Sequence, residues 1–319
     1  MSEVLKRPPF DPEIERAMEM QRDSIVTSMV PADIERVKAL GGDVATLAST
    51  SHGGFDRIDV DAPGLDGAPA VSLVVLVPPS ETPASVMVFL HGGGMIAGSA
   101  ESDLDFVAAL AHEAGCAVVS VNYRLAPEHP YPAARDDVLA ALAWLRSASA
   151  LEGLDSRTVL LAGISAGGGL AAATALAIRD KGASPLAGLL LMCPMLDHRS
   201  NSCSARQMVG LGSWDATANA TAWAAYLGGA EASPYASASM ADDLVGLPPT
   251  FIDVGSAETF RDECVEFASR MWAAGGDTEL HVWPGGAHAF DVLAPWASIS
   301  RDARRPRVAW LRRLLGRAS

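Results

Sequence analysis

The sequence predicts an α/β fold, a mainly parallel sheet with helices on both faces. Three observations carry that expectation. Short apolar runs alternate with longer helical patterns over most of the chain, the signature of successive βα units. Several of the short runs are apolar throughout, as strands buried on both faces must be. Two glycine-rich turns, His91-Gly92-Gly93-Gly94 and Gly163-Ile164-Ser165-Ala166-Gly167, each follow such a run directly. In an open parallel sheet that carboxyl edge is where ligands bind.

The elements follow in order. Asp11-Pro12-Glu13 opens a helix with Ile14, Met18 and Gln21 on one face, and Pro31-Ala32-Asp33 opens another running through Val37 and Leu40; proline suits the first helical position, where its missing N–H costs nothing. Strand patterns begin at residues 55–60, which alternate, and continue at 71–77 and 86–90. The early alternating strands are expected to form an antiparallel edge. Strands at 116–121, 159–162, 186–193, 251–254 and 279–283 then interleave with helices at 133–146, after Ser165, and at 263–274. Residues 196–247 break this rhythm, holding Trp214, Trp223 and Tyr226 without a clear strand. The expected organisation is an N-terminal helical cap segment over 1–50 and a catalytic domain over 51–319, with a cap insertion around 197–247. The basic run 304–317 carries Val308, Leu311, Leu314 and Leu315 at helical spacing and reads as a terminal helix packed on the sheet.

Composition removes several function classes. A formal charge of −14 argues against nucleic acid or an anionic membrane as partner. None of the three lysines, Lys6, Lys38 and Lys181, lies in a phosphate-binding G-x-x-x-x-G-K-[ST] run. Cys116, Cys193, Cys203 and Cys264 have no close pairs, which speaks against zinc and against a disulfide scaffold. Residues 158–178 carry no charge over a length that could span a bilayer, but four glycines interrupt the centre, which suits a strand-turn-helix better. The first residues lack an apolar leader core, so a cytoplasmic location is the default expectation.

The chemistry gathers in the two turns and in the later strand-end loops. A serine between small residues, joining strand to helix, forms a turn sharp enough to project its hydroxyl clear of the backbone. Beside a base, such a hydroxyl attacks acyl carbon. The run of three glycines after His91 lets backbone N–H groups approach a developing oxyanion closely. As a dinucleotide loop it fails, because Gly92, Gly94 and Gly98 are spaced one residue too long and the next strand ends at Val121-Asn122-Tyr123 without a ribose-binding carboxylate. His288, in Gly285-Gly286-Ala287-His288, follows the last strand and is the best general base. Glu258, Asp262 and Glu263 are the candidate acids that would orient it. Asp262 and Glu263 fall where a helix begins and also fit as caps; Glu258, in the loop just past the strand, is better placed.

These motifs, together with Tyr123-Arg124-Leu125-Ala126-Pro127-Glu128-His129-Pro130, resemble the hormone-sensitive-lipase-like family of bacterial carboxylesterases within the α/β-hydrolase fold. The match runs from about residue 55 to 290 in unbroken order. The resemblance implies Ser165 as nucleophile, His288 as base, an acid at position 258, and an oxyanion hole from the N–H groups of Gly93, Gly94 and Ala166. It implies hydrolysis of short-chain acyl esters without metal or organic cofactor, and the family often forms homodimers. Met18, Met95, Trp214 and Trp223 are the expected pocket residues. Two positions depart from the family pattern: Ile164 stands where aspartate is common, and Glu258-Thr259-Phe260 replaces Asp-Pro-Leu. A lactone or amide substrate, or a catalytically silent small-molecule binder of the same fold, is the alternative.

Overall fold

The structure, a computed structural model, describes residues 6–46, 54–80, 82–147 and 151–316. The expected cap boundary near residue 50 and His52 lie outside the described residues. Among the described residues, eight strands form one sheet: β1 (Asp56–Ala62), β2 (Val71–Val77), β3 (Ala84–Leu90), β4 (Ala117–Val121), β5 (Leu154–Ile164), β6 (Gly188–Met192), β7 (Thr250–Gly255) and β8 (Thr278–Trp283). Their spatial order is β1-β2-β4-β3-β5-β6-β7-β8. The β1–β2 and β2–β4 pairs are antiparallel and the rest are parallel, as the alternating first strands and the apolar later ones imply.

Ten helices among the described residues accompany the sheet. They are α1 (Pro12–Met20), α2 (Ile34–Thr46), α3 (Leu104–Ala114), α4 (Ala133–Leu145), α5 (Ala166–Asp180), α6 (Cys203–Gln207), α7 (Ala216–Leu227), α8 (Arg261–Ala273), α9 (Phe290–Leu293) and α10 (Ser298–Leu314). Of these, α5 is buried nearly throughout, because it crosses behind the central strands. No helix among the described residues is long and apolar enough to cross a membrane. The terminal helix α10 does pack inward, with Trp310 against Phe251 of β7 at 5.9 Å between ring centroids.

The chain winds from β3 to β4 on one side, then returns through α4 to β5 on the other side of β3. Winding reverses between β3 and β5, and such a reversal leaves a crevice at the carboxyl ends of the strands. Both glycine motifs emerge from these two neighbouring strands, whose register pairs Leu90 with Gly163.

The N-terminal segment and the insertion between β6 and β7 are stitched together. Ser28 Oγ donates to Asp215 at 2.6 Å, Thr27 Oγ1 to the Gly212 carbonyl at 2.7 Å, and Thr221 Oγ1 to the Met29 carbonyl at 2.9 Å. Asp215 also caps α7. The insertion holds α6, α7 and a short 3-10 turn, with no strand among its described residues. α3 and α7 have no counterpart in the expected elements. Asp103 opens α3 in a left-handed conformation without a side-chain cap, and α7 reads Ala-rich with little contrast between its faces, so neither announces itself.

Candidate active site

Ser165 sits at the β5–α5 junction with φ 56° and ψ −119°, a conformation L-residues rarely hold. Its neighbours explain how the turn closes. A Cβ on Gly163 would lie 2.3 Å from the Gly167 carbonyl, and one on Gly167 would lie 2.0 Å from the Leu90 carbonyl. The turn is therefore pressed against the end of β3, and only glycine fits there. The Ser165 N–H donates to the Met192 carbonyl at 2.8 Å, fixing the turn to β6 as well.

His288 arrives from the loop after β8. Its Nε2 lies 2.8 Å from Ser165 Oγ, and its Nδ1 lies 3.1 Å from Glu258 Oε1. With Nδ1–H donating to the carboxylate, Nε2 accepts the serine hydroxyl. Phe260 meets the imidazole edge-on at 5.0 Å, and Ser213 Oγ donates to the His288 carbonyl at 2.7 Å. Glu258 is fully buried. Its second oxygen, Oε2, accepts the Gly255 N–H at 3.0 Å, so the longer side chain folds back toward its own strand while Oε1 reaches the histidine.

The other two candidate acids point elsewhere. Asp262 accepts the Ser204 N–H at 2.7 Å and the Arg261 Nε–H at 2.7 Å. Burial pushes its carboxyl up, but Arg261 and the Ser204 N–H outweigh that and hold it below the ordinary carboxylate range. Glu263 accepts the N–H groups of Leu196 and Asp197 at 2.7 and 3.2 Å, while burial pushes its carboxyl well up. Both acids fasten the insertion to α8.

The triple-glycine loop stands beside the serine. Gly93 and Gly94 have φ of 107° and 64°. A Cβ on Gly93 would meet the Ala97 carbonyl at 2.2 Å, and one on Gly94 would meet the Trp214 ring at 2.6 Å. Ala166 is the first residue of α5, where the N–H has no intrahelical acceptor. Among the described residues, no backbone acceptor takes the N–H of Gly93, Gly94 or Ala166. His91 holds the loop from beneath: its Nδ1 bonds the Gly92 carbonyl at 2.7 Å, and its ring stacks on Tyr123 at 4.1 Å. Burial pushes its imidazole down to about 4, so the ring stays neutral. Tyr123 Oη donates to the His91 carbonyl at 2.8 Å, which gives the Tyr123–Pro130 block a bracing role.

A cavity of about 430 Å³ opens onto Ser165 and His288, walled by Val26, Leu40, Ile164, Trp214 and Val292 among others. Trp214 is one of the residues lining it. Met95 is buried on the glycine loop, its carbonyl accepting from Ala126, and is not among the lining residues. Met18 lines a separate cleft on the outer side of the N-terminal segment, and Trp223 is packed in the core. Helix faces explain both: α1 presents Ile14 and Ala17 inward, and α7 buries Trp223 against Tyr226. Two site residues carried no motif. Asp103 enters the cavity from the loop before α3. Cys193, with φ 38°, places its sulfur within 4.8 Å of ligand atoms of Glu258 and His288. Those two groups are already hydrogen-bonded to each other, which leaves them poorly disposed to share a metal.

Known proteins share this architecture. The Abhydrolase_3 family, described as alpha/beta hydrolase fold, matches residues 87–292. Carboxylesterase NlhH of Mycobacterium tuberculosis is 35% identical over 267 residues, covering 81% of this chain and 83% of that protein. An acetyl-hydrolase of Streptomyces hygroscopicus is 32% identical over 245 residues, 75% of this chain and 79% of its own length. Among solved structures, a bacterial heroin esterase superposes with a TM-score of 0.88 at 36% identity, covering 96% of this chain and 98% of that one. Esterase LipW from Mycobacterium marinum gives 0.80 at 30% identity, covering 98% and 99%. The chain belongs to the hormone-sensitive-lipase-like family of the α/β-hydrolase fold, and it is a carboxylic ester hydrolase.

Proposed function

We propose that this protein hydrolyses short-chain acyl esters through a Ser165–His288–Glu258 triad and an acyl-enzyme. The observation that carries the reading is the unbroken hydrogen-bonded chain from Ser165 Oγ through His288 to the buried Glu258 carboxyl. His288 Nε2 takes the serine proton as Oγ bonds to the ester carbonyl carbon, while Glu258 stabilises the imidazolium. The carbonyl oxygen, now negative, sits against the N–H groups of Gly93, Gly94 and Ala166. His288 returns the proton to the departing alcohol. Water then gives its proton to the same nitrogen and attacks the acyl-enzyme, releasing the carboxylic acid and restoring Ser165.

The size of the cavity and its apolar wall favour small acyl groups. The described N-terminal segment over 6–46 and the insertion at 197–247 act together as a cap; their mutual hydrogen bonds and the lining residues they contribute, Val26 and Leu40 from the first and Trp214 from the second, support this. No step needs a metal or an organic cofactor. Hydrolysis of p-nitrophenyl esters from acetate to palmitate tests this directly. Rates should peak at short chains and vanish in Ser165→Ala. Activity peaking at long chains would overturn the substrate class. Full activity in Ser165→Ala would overturn the mechanism.

A further inference from the structure

The cavity carries one charge that the acyl-transfer mechanism does not use. Of its described lining residues, only His288 and Asp103 are ionisable, and none is lysine or arginine. Asp103 holds φ 60° and ψ 10°, a left-handed conformation that aspartate tolerates better than most residues. The Gly92 N–H lies against its carboxyl. Gly92 is itself at the reacting centre, since a Cβ there would stand 3.6 Å from Ser165 Cβ. The Asp103 carboxyl is therefore within a few bond lengths of where an ester must sit.

The groups around this carboxyl give it no positive counterion. Asp291, on α9, faces it and repels its charge. Tyr123, at the end of β4, feels it and is itself held neutral by burial. Arg307, the nearby cation on α10, is taken up by Asp253 and Asp291. Burial and Asp291 together push the Asp103 carboxyl up, to about 6. At neutral pH it is thus mostly ionised yet poorly compensated, a condition that a bound cation relieves. Trp214, which lines the same cavity, supplies an aromatic ring that a cation there can meet.

We infer that Asp103 makes this an esterase for positively charged substrates, esters bearing an ammonium group that seats between Asp103 and the Trp214 wall. The inference rests on the ester-hydrolase reading of the same cavity. An anionic ester meets an uncompensated carboxylate there and is rejected.

The test compares butyrylcholine with 3,3-dimethylbutyl butyrate, its uncharged carbon isostere, by pH-stat titration. At about 0.5 M salt, long-range attraction to the acidic protein is screened and contact charge remains. Wild type should favour the charged ester about tenfold in kcat/KM, the ordinary scale for one close charge pair. Asp103→Asn keeps an acceptor for the Gly92 N–H and removes the charge, so the ratio should fall to about 1 whatever the overall rate. A purely structural role would slow both esters alike and leave the ratio standing. In wild type the ratio should also rise from about pH 5 to pH 8 as Asp103 ionises, while changes in the acyl-transfer machinery common to both esters cancel in the ratio. A wild-type ratio near 1, or one unchanged in Asp103→Asn, overturns the inference while leaving the esterase reading intact. Hydrolysis of neither ester overturns the inference, and the p-nitrophenyl ester series decides the esterase reading on its own.

Discussion

Two buried charge networks are built around β7 and the segment that follows β8, and they serve opposite ends. In one, Glu258 holds His288, whose far nitrogen faces Ser165 at the cavity. In the other, Arg307 of α10 bonds Asp253 of β7 at 2.7 and 2.8 Å and also pairs with Asp291 of α9. The first ends in a hydroxyl with access to an ester. The second is sealed, with Arg307 only 2% exposed and Trp283 Nε1–H closing over Asp253 at 3.1 Å. In the proposed mechanism a proton moves along the first; the second keeps its charges fixed and ties β7, α9 and the terminal helix into one body. Burial of charge is thus used once for reactivity and once for geometry.

Breaking the reacting network should have the larger effect on rate. Ser165→Ala is expected to lose about 10⁶-fold in kcat, as nucleophile deletions in serine hydrolases do. Glu258→Gln should lose about 10³- to 10⁴-fold, because the amide keeps the shape but no longer favours the tautomer and the charged form that turnover requires. Steady-state kinetics on p-nitrophenyl butyrate, with thermal unfolding midpoints close to wild type, would confirm that the loss is chemical. A Glu258→Gln enzyme within tenfold of wild type would put the orienting role elsewhere.

Breaking the sealed network should instead show in stability. Arg307→Met leaves Asp253 and Asp291 buried without their cation, which costs about 3–5 kcal/mol at neutral pH. The pH dependence has a definite sign. Burial already raises the Asp253 carboxyl above its ordinary range, even against Arg307, and removing the guanidinium raises it further. A folded-state pKa above the unfolded one favours the native state below the unfolded value and loses that favour as pH rises. The stability deficit should therefore be largest near pH 8 and shrink toward pH 5, as urea unfolding at several pH values would record. If Arg307→Met abolishes turnover at 25 °C while remaining folded, the two networks work as one unit.

The contrast also separates what the sequence discloses from what it hides. Ser165, His288 and Glu258 are legible because each lies at the end of a strand, where the parallel topology must deliver it to one edge. The Gly92–Gly94 loop is legible because a backbone approach to Ala97 and Trp214 tolerates no side chain. Arg307 is not legible: it reads as one more cation in a basic terminal run, and only the packing of α10 against β7 turns it inward. Asp103 is hidden for a different reason. No helix is expected after it and no motif marks it, yet in the structure it holds a left-handed backbone before α3 and lines the cavity. The pocket methionines misled because a flexible apolar side chain fits core and pocket equally well.

The smallest effect expected is the most useful for the acid's identity. Asp262, four residues after Glu258, is the other nearby candidate acid, but its carboxyl serves Arg261 and the Ser204 N–H. Asp262→Asn keeps an acceptor for Ser204 and loses the ion pair with Arg261, which is about one-third exposed on the aspartate side and so contributes about 0.5–1 kcal/mol at most. Because the folded-state carboxyl is held below its ordinary range, its contribution is present above the unfolded pKa and disappears as pH falls through the folded one. The variant should therefore match wild type in kcat/KM within about twofold, unfold slightly earlier at pH 7, and converge on wild type as pH falls below the ordinary carboxylate range. A loss of activity approaching that of Glu258→Gln would mean that the acid loop rearranges when substrate binds, and that the reacting network draws on the Asp262 carboxylate after all.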